Sequence, residues 1–252
     1  MPQTTSLNQH AFIRSSYFHT CLTATLFVLL FSPTLLSAQK TDLAISGGII
    51  HTAYEFKGVQ LYPNTAFIFP WSGRQARLNP LFGIEVIQAV SAHWQIKTGL
   101  RLYVTGYTQE TDLMWPSEFT PAGYAPSLPN ERLSVNHLFL EIPLLVRYRF
   151  AEKTWTPYAE AGISTNYYIT TGINERIEGN EKTMQEKNDA VNPVNLALQG
   201  AAGIQYRLAE RHRFFLQTTL RYQANSIEET SSNPGVGWEL STGWMLRVGR
   251  KP

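Results

Sequence analysis

Residues 137–150 read HLFLEIPLLVRYRF, an apolar run that nonetheless carries Glu141, Pro143, Arg147 and Arg149. A carboxylate and guanidinium groups so placed could neutralise one another, or they could line a path for ions or protons. Their spacing is the first clue. Leu138, Leu140, Ile142, Leu144, Val146 and Tyr148 share one parity, and every charge falls on the other, with His137, Phe139 and Leu145. Alternation with period two marks a strand with two unlike faces. Pro143 has no backbone N–H for a ladder, so it predicts a local bulge.

The same parity rule recurs wherever a segment carries several charges. Lys97 and Arg101 share a face, as do Glu239 and Arg247. Extended over all the segments, the charged face comprises Glu85, Lys97, Arg101, Glu141 and Arg147. It continues with Glu160, Arg207, Arg221, Glu239 and Arg247. Isolated buried charges cost several kcal/mol, so sealed between strands these groups must pair. The expectation is an internal salt-bridge network, with Arg101 or Arg147 as the partners of Glu141. An ion or proton path would need a wider lumen.

Catalytic chemistry has less support. Beyond residue 40 the histidines are His51, His93, His137 and His212. A lipid-modifying enzyme of the outer membrane would need a histidine beside a serine, with a carboxylate to orient it. Ser134 precedes His137 by three residues, but no carboxylate is placed to complete the set. The histidines show neither HxH nor HExxH spacing, and no glycine-rich phosphate loop occurs. No catalytic residue, metal or cofactor is therefore expected.

The elements that position the charged face are eight alternating segments. Their other face carries Leu43, Ile45 and Ile49; Phe82, Ile84 and Val86; and Ile96, Leu100, Leu102 and Val104. After the opening stretch follow segments around 159–167, 198–206, 214–222 and 240–248. Short connections at 90–93, 151–156 and 209–212 alternate with long ones at 51–80, 109–133, 171–194 and 226–237. That pattern predicts an all-β fold: an eight-stranded antiparallel up-and-down transmembrane β-barrel with long extracellular loops. A soluble sandwich or lipocalin-like barrel shares the alternation but puts its apolar face inside. Strands of about 9–11 residues, which cross a bilayer when tilted, favour the membrane barrel. Tyr148, Tyr206, Phe214 and Tyr222 lie at strand ends where aromatic girdles belong.

Composition agrees. Only 16% of the 252 residues are charged and 12% are aromatic, and the net charge of +2 gives no reason to expect nucleic acid. Arg14 precedes an apolar stretch from Cys21 to Gln39 that ends in small residues, the pattern of a cleaved export signal. Residues 1–38 are expected to be that signal and 39–252 the barrel domain. Cys21, the sole cysteine, lies within the signal, so the mature chain would form no disulfide.

The segment FLEIPLLVRYRF (139–150), followed by TPYAEAGIS (156–164), resembles the PorT-like outer-membrane β-barrel proteins, whose members show YLEIPLLLKY and then PYLLAGPSLGY. Glu141, Ile142, Pro143 and Leu144 match the first strand; Pro157, Tyr158, Ala161 and Gly162 match the second. The resemblance implies the fold and a Gram-negative outer-membrane location. Its name-giving member also implies a part in a protein secretion machinery.

Function on such scaffolds concentrates in loops. The first holds Phe67, Ile68, Phe69 and Trp71, and the second holds Trp115 among prolines and aromatics; together they form a candidate contact site. The third, 174–189, is acidic and polar and is expected to be solvated. The expectation is a non-enzymatic barrel with a structural or binding role through its external loops. Its partners would be outer-membrane lipids, the barrel assembly machinery and an envelope protein. A secretion component and a lipid-A-modifying enzyme are the alternatives.

Overall fold

A computed structural model of the chain describes residues 41–53, 75–111, 131–177, 180–227 and 235–248. The expected signal segment and the aromatic loop cluster (Phe67, Ile68, Phe69, Trp71, Trp115) lie outside the described residues. Ten strands follow in order: β1 (Thr41–Ala53), β2 (Gln75–Ala76), β3 (Leu78–Ala89), β4 (Trp94–Thr111), β5 (Glu131–Arg149), β6 (Trp155–Ile177), β7 (Asn180–Glu186), β8 (Val194–Arg207), β9 (His212–Gln223) and β10 (Val236–Val248). Eight of them form a closed ring in which every neighbour is antiparallel. β1 against β10, from Thr41↔Val248 to Ala53↔Val236, closes it. Closure leaves the ring no free edge, the condition for crossing lipid with strands.

Side-chain type selects the two faces. Ile45, Ile84, Leu100, Leu144, Leu216 and Leu240 stand exposed on the outside, while Glu85, Arg101, Glu141, Arg147, Arg221 and Glu239 are buried inside. So wide an apolar exterior around a charged interior inverts a soluble protein and suits a lipid solvent. Aromatic pairs ring the end with the short turns: Trp94 with Tyr148, Trp155 with Tyr206, and Phe214 with Trp244, at 4.5–4.8 Å between centroids. Those turns are hydrogen-bonded locally. In the first, Ser91 Oγ accepts from the backbone N–H of Trp94 (3.1 Å), and Val90 N–H donates to the Trp94 carbonyl (2.9 Å). Short turns of this kind place that end, with Thr41 and Val248, in the periplasm.

Two expectations need correction. First, β4, β5 and β6 run for 18, 19 and 23 residues, well beyond what a bilayer requires. Segment 171–194, expected as an open connection, continues β6 to Ile177 and returns as β7, with Thr171↔Glu186 through Ile177↔Asn180 in register. Apolar alternation ends at the membrane surface, but backbone pairing does not, so an apolar criterion stops too early.

Second, Pro143 marks no bulge. Its pairing with β4 lapses locally, yet Thr98↔Leu144 and Arg101↔Glu141 keep one register on either side. Opposite it lies Gly99, where an added Cβ would sit 2.3 Å from the Ile84 carbonyl oxygen. The register shift occurs instead at Leu138/Phe139, where Ile169 is the extra residue on β6.

Ile84→Arg, in mid-strand between Ile45 and Leu100, is expected to cost about 2–4 kcal/mol and impair assembly. Heat-modifiable gel mobility checks this. Full folding of the variant would contradict the assignment of the outer face.

Candidate functional site

The interior is stacked in layers. Nearest the periplasm, after a charged rim, lies an apolar layer of Ala44, Ile87, Tyr158, Phe215 and Met245. Above it come the buried charges, and above those a second apolar layer of Ile50, Leu81, Tyr103, Phe139, Val191 and Ile227. Inward parity on β3, β4, β5, β6, β9 and β10 brings eight charged side chains to the middle.

They form one connected network. Glu160 receives Lys97 Nζ at 2.8 Å and the Nε–H of Arg147. Arg147 lies over the Tyr158 ring, 4.1 Å from its centroid, and is fully buried. Glu85 joins the two halves, 3.6 Å from Lys97 Nζ and 3.7 Å from Arg101 Nε. Arg101 donates from Nη2 to Glu239 (2.7 Å) and from Nη1 to Glu141 (3.3 Å). Glu141 also accepts from Arg221 Nη2 and from Gln199 Nε2, the latter at 2.5 Å. Arg221 completes its surroundings with Asn166 Oδ1 (3.4 Å) and the face of Tyr103 (4.6 Å).

Four carboxylates thus meet four cations: Glu85, Glu141, Glu160 and Glu239 against Lys97, Arg101, Arg147 and Arg221. All eight are at least nine-tenths buried, so the layer is neutral as a whole and each charge has a near opposite. Placement departs from expectation at two of the ten sites, Arg207 and Arg247, and the pairing departs at a third, Arg147. Arg147 serves Glu160, and Glu141 is held by Arg101 and Arg221. Arg207 is exposed at the periplasmic rim, where Nη2 donates to the Lys153 carbonyl (3.2 Å). Arg247, half-buried, pairs with Asp42 at 3.3 Å in that same rim. Both arginines have inward parity but stand in the rim, beneath the lower apolar layer, because parity gives the face and says nothing of height.

Gln199, Asn166, Tyr158 and Asp42 were missed. Gln199 lies on the inward parity of β8, where its neutrality hid it. The histidines serve local roles: Nδ1 of His137 bonds Thr171 Oγ1 (2.9 Å), while Ser134 Oγ bonds Thr108 Oγ1 (3.3 Å). Among the described residues, no group of His, Cys, Asp and Glu side chains converges so as to hold a metal ion.

The family model of an outer membrane protein beta-barrel domain matches residues 42–232. The chain belongs to that family. It is an outer-membrane protein of a Gram-negative envelope. No curated protein matches it by sequence. Among solved structures, the chain is similar to Neisserial surface protein A at 10% identity, covering 82% of this chain and 97% of that one (TM-score 0.39). OprG from Pseudomonas aeruginosa is similar at 11%, covering 85% and 99% (0.38). The outer membrane protease OmpT from Escherichia coli is similar at 8%, covering 83% and 96% (0.43).

Glu141→Ala leaves two buried guanidiniums short of a partner and is expected to cost roughly 3–5 kcal/mol in urea unfolding followed by tryptophan fluorescence. Glu141→Gln keeps an accepting oxygen and should cost less. Adding Arg221→Met to Glu141→Ala should recover part of the loss. A neutral Glu141→Ala, or no coupling to Arg221, would mean that water reaches the layer.

Proposed function

We propose that this barrel is a non-enzymatic outer-membrane protein with a closed lumen, acting as a structural or binding element through its extracellular face. The observation that carries the reading is the stack of a neutral ionic layer between two apolar layers. It fills the interior with side chains and leaves chemistry and recognition to the outside.

The extracellular end supports the same reading. The outer parts of β4, β5 and β6, with β7, continue one sheet past the band of exposed apolar residues. Segments at the mouth also fold inward: Val191 and Ile227 enter the upper apolar layer, and Asn192 N–H donates to the Ile227 carbonyl (2.8 Å). Tyr168 Oη accepts from Asn188 N–H (2.9 Å) and bonds Thr171 Oγ1 (2.6 Å), fixing the segment that follows β7. Ser134 and His137 bond to different threonines rather than to each other, which disfavours a serine hydrolase there.

The proposed partners are outer-membrane lipids on the apolar exterior, the assembly machinery during insertion, and an envelope protein outside. The aromatic cluster Phe67, Ile68, Phe69, Trp71 and Trp115 is the proposed contact for that protein. Residues 1–38 are proposed to be removed on export. The hairpin of β5 and β6 carries the PorT-like motif, which favours a secretion-machinery component as the second reading.

Purified protein in planar bilayers is expected to show no stable porin-sized step, and reproducible large steps would refute the closed lumen. A deletion strain separates the functional readings. Cargo trapped in the periplasm would mean secretion, and altered lipid A by mass spectrometry would mean an enzyme. The proposed role predicts neither change.

A further inference from the structure

The periplasmic rim differs from the ionic layer in balance and in distance. Asp42 receives Arg247 Nε at 3.3 Å and Arg213 Nη1 at 3.6 Å. Glu152, on the turn between β5 and β6, stands 3.6 Å from Arg149 Nη1 and 3.9 Å from Arg213 Nη2 through one and the same oxygen. In the interior Arg101–Glu239 and Lys97–Glu160 lie at 2.7 and 2.8 Å, and Arg147–Glu160 and Arg221–Glu141 are closer still. Three guanidiniums therefore form a chain with two carboxylates, held loosely.

Other groups add to the positive side. Arg207 is the direct cross-strand partner of Arg213, a like-charge pairing that destabilises a sheet unless an anion lies nearby. Lys153, Glu210 and Arg211 occupy the adjoining turns. Six cations thus meet three carboxylates around this mouth. Arg149 supplies an independent sign: its side chain is buried and Nε has no hydrogen-bond partner, although Nη2 donates to the Ala92 carbonyl (2.7 Å). Glu152 is half exposed and reaches in from the solvent side, where it bridges the two buried guanidiniums as a tethered anion.

We infer that the periplasmic mouth is a binding site for a phosphate-class oxyanion, bridging Arg149 and Arg213 beside Arg207 and displacing the Glu152 carboxylate. A tetrahedral oxyanion offers several acceptors to the two forks, which Glu152 Oε1 meets at 3.6 and 3.9 Å. Its source is either free inorganic phosphate or the headgroup of an inner-leaflet phospholipid, since both meet this rim.

Arginine Nε–Hε signals of the full barrel, labelled with ¹⁵N-arginine in dodecylmaltoside micelles, report on the site directly. One arm titrates inorganic phosphate at constant ionic strength, to hold screening fixed. The other titrates phosphatidylglycerol into the micelles, with diacylglycerol as the phosphate-free control. The Arg149 and Arg213 signals are expected to move saturably, while those of Arg101, Arg147 and Arg221 stay still. A response to phosphate assigns a soluble anion, and a response to phosphatidylglycerol alone assigns a headgroup. R149K should weaken binding about tenfold, the loss of one charge-assisted hydrogen bond. E152Q should tighten it, because the competing charge is gone. No saturable movement in either arm, unchanged affinity in R149K, or weaker binding in E152Q would overturn the site. Should R149K not fold, the E152Q titration decides alone.

Discussion

A charge taken out of water must meet its opposite, and this barrel depends on that constraint at its centre. Eight ionised side chains sit where solvent does not reach them, and the two apolar layers keep it so. Each guanidinium desolvated there would cost several kcal/mol alone. Together they are tolerable because Glu85, Glu141, Glu160 and Glu239 match the four cations in number and in place. Aromatic faces share the task, with Tyr158 under Arg147 and Tyr103 under Arg221.

The two ends of the molecule solve different problems. Toward the periplasm the strands stop almost at once, in tight turns beneath an aromatic ring. Toward the outside β4, β5 and β6 continue as paired backbone, and the segments after β7 and β9 fold back over the lumen. Closure of the interior and display of an outer surface are thus properties of one set of strands, divided by height.

Sequence made the barrel and the parity of the charges readable, because lipid outside and ions inside impose opposite demands on alternate residues. Lys97 with Arg101, and Glu141 with Arg147, show it even without a partner strand in view. Partner choice was readable only in part: Arg101 does reach Glu141, but Arg147 goes to Glu160. Arg221 lies 80 residues from Glu141, and only the register of three intervening strand pairings decides that it arrives there and that Arg147 does not. Height along the axis was hidden for the same reason, which is why Arg207 and Arg247 were expected in the ionic layer and lie in the rim. The outer extension of β6 and the bulge at Ile169 left no apolar signature. Gln199 escaped notice because a neutral amide carries no parity signal.

The distribution of charge among hairpins bears on how the ring is put together. Within the ionic layer, β3 and β4 carry one carboxylate and two cations, while β5 and β6 carry two carboxylates and one cation. Neither hairpin is neutral by itself; they cancel only when side by side. β9 and β10, the last strands of the chain, bring Arg221 and Glu239, a matched pair that holds Glu141 and Arg101 from across the lumen. A slip of one residue between β4 and β5 would turn every charge on the slipped strand toward lipid. The ionic layer therefore sets strand register, because only the native alignment of the hairpins lets every charge meet its opposite inside the ring.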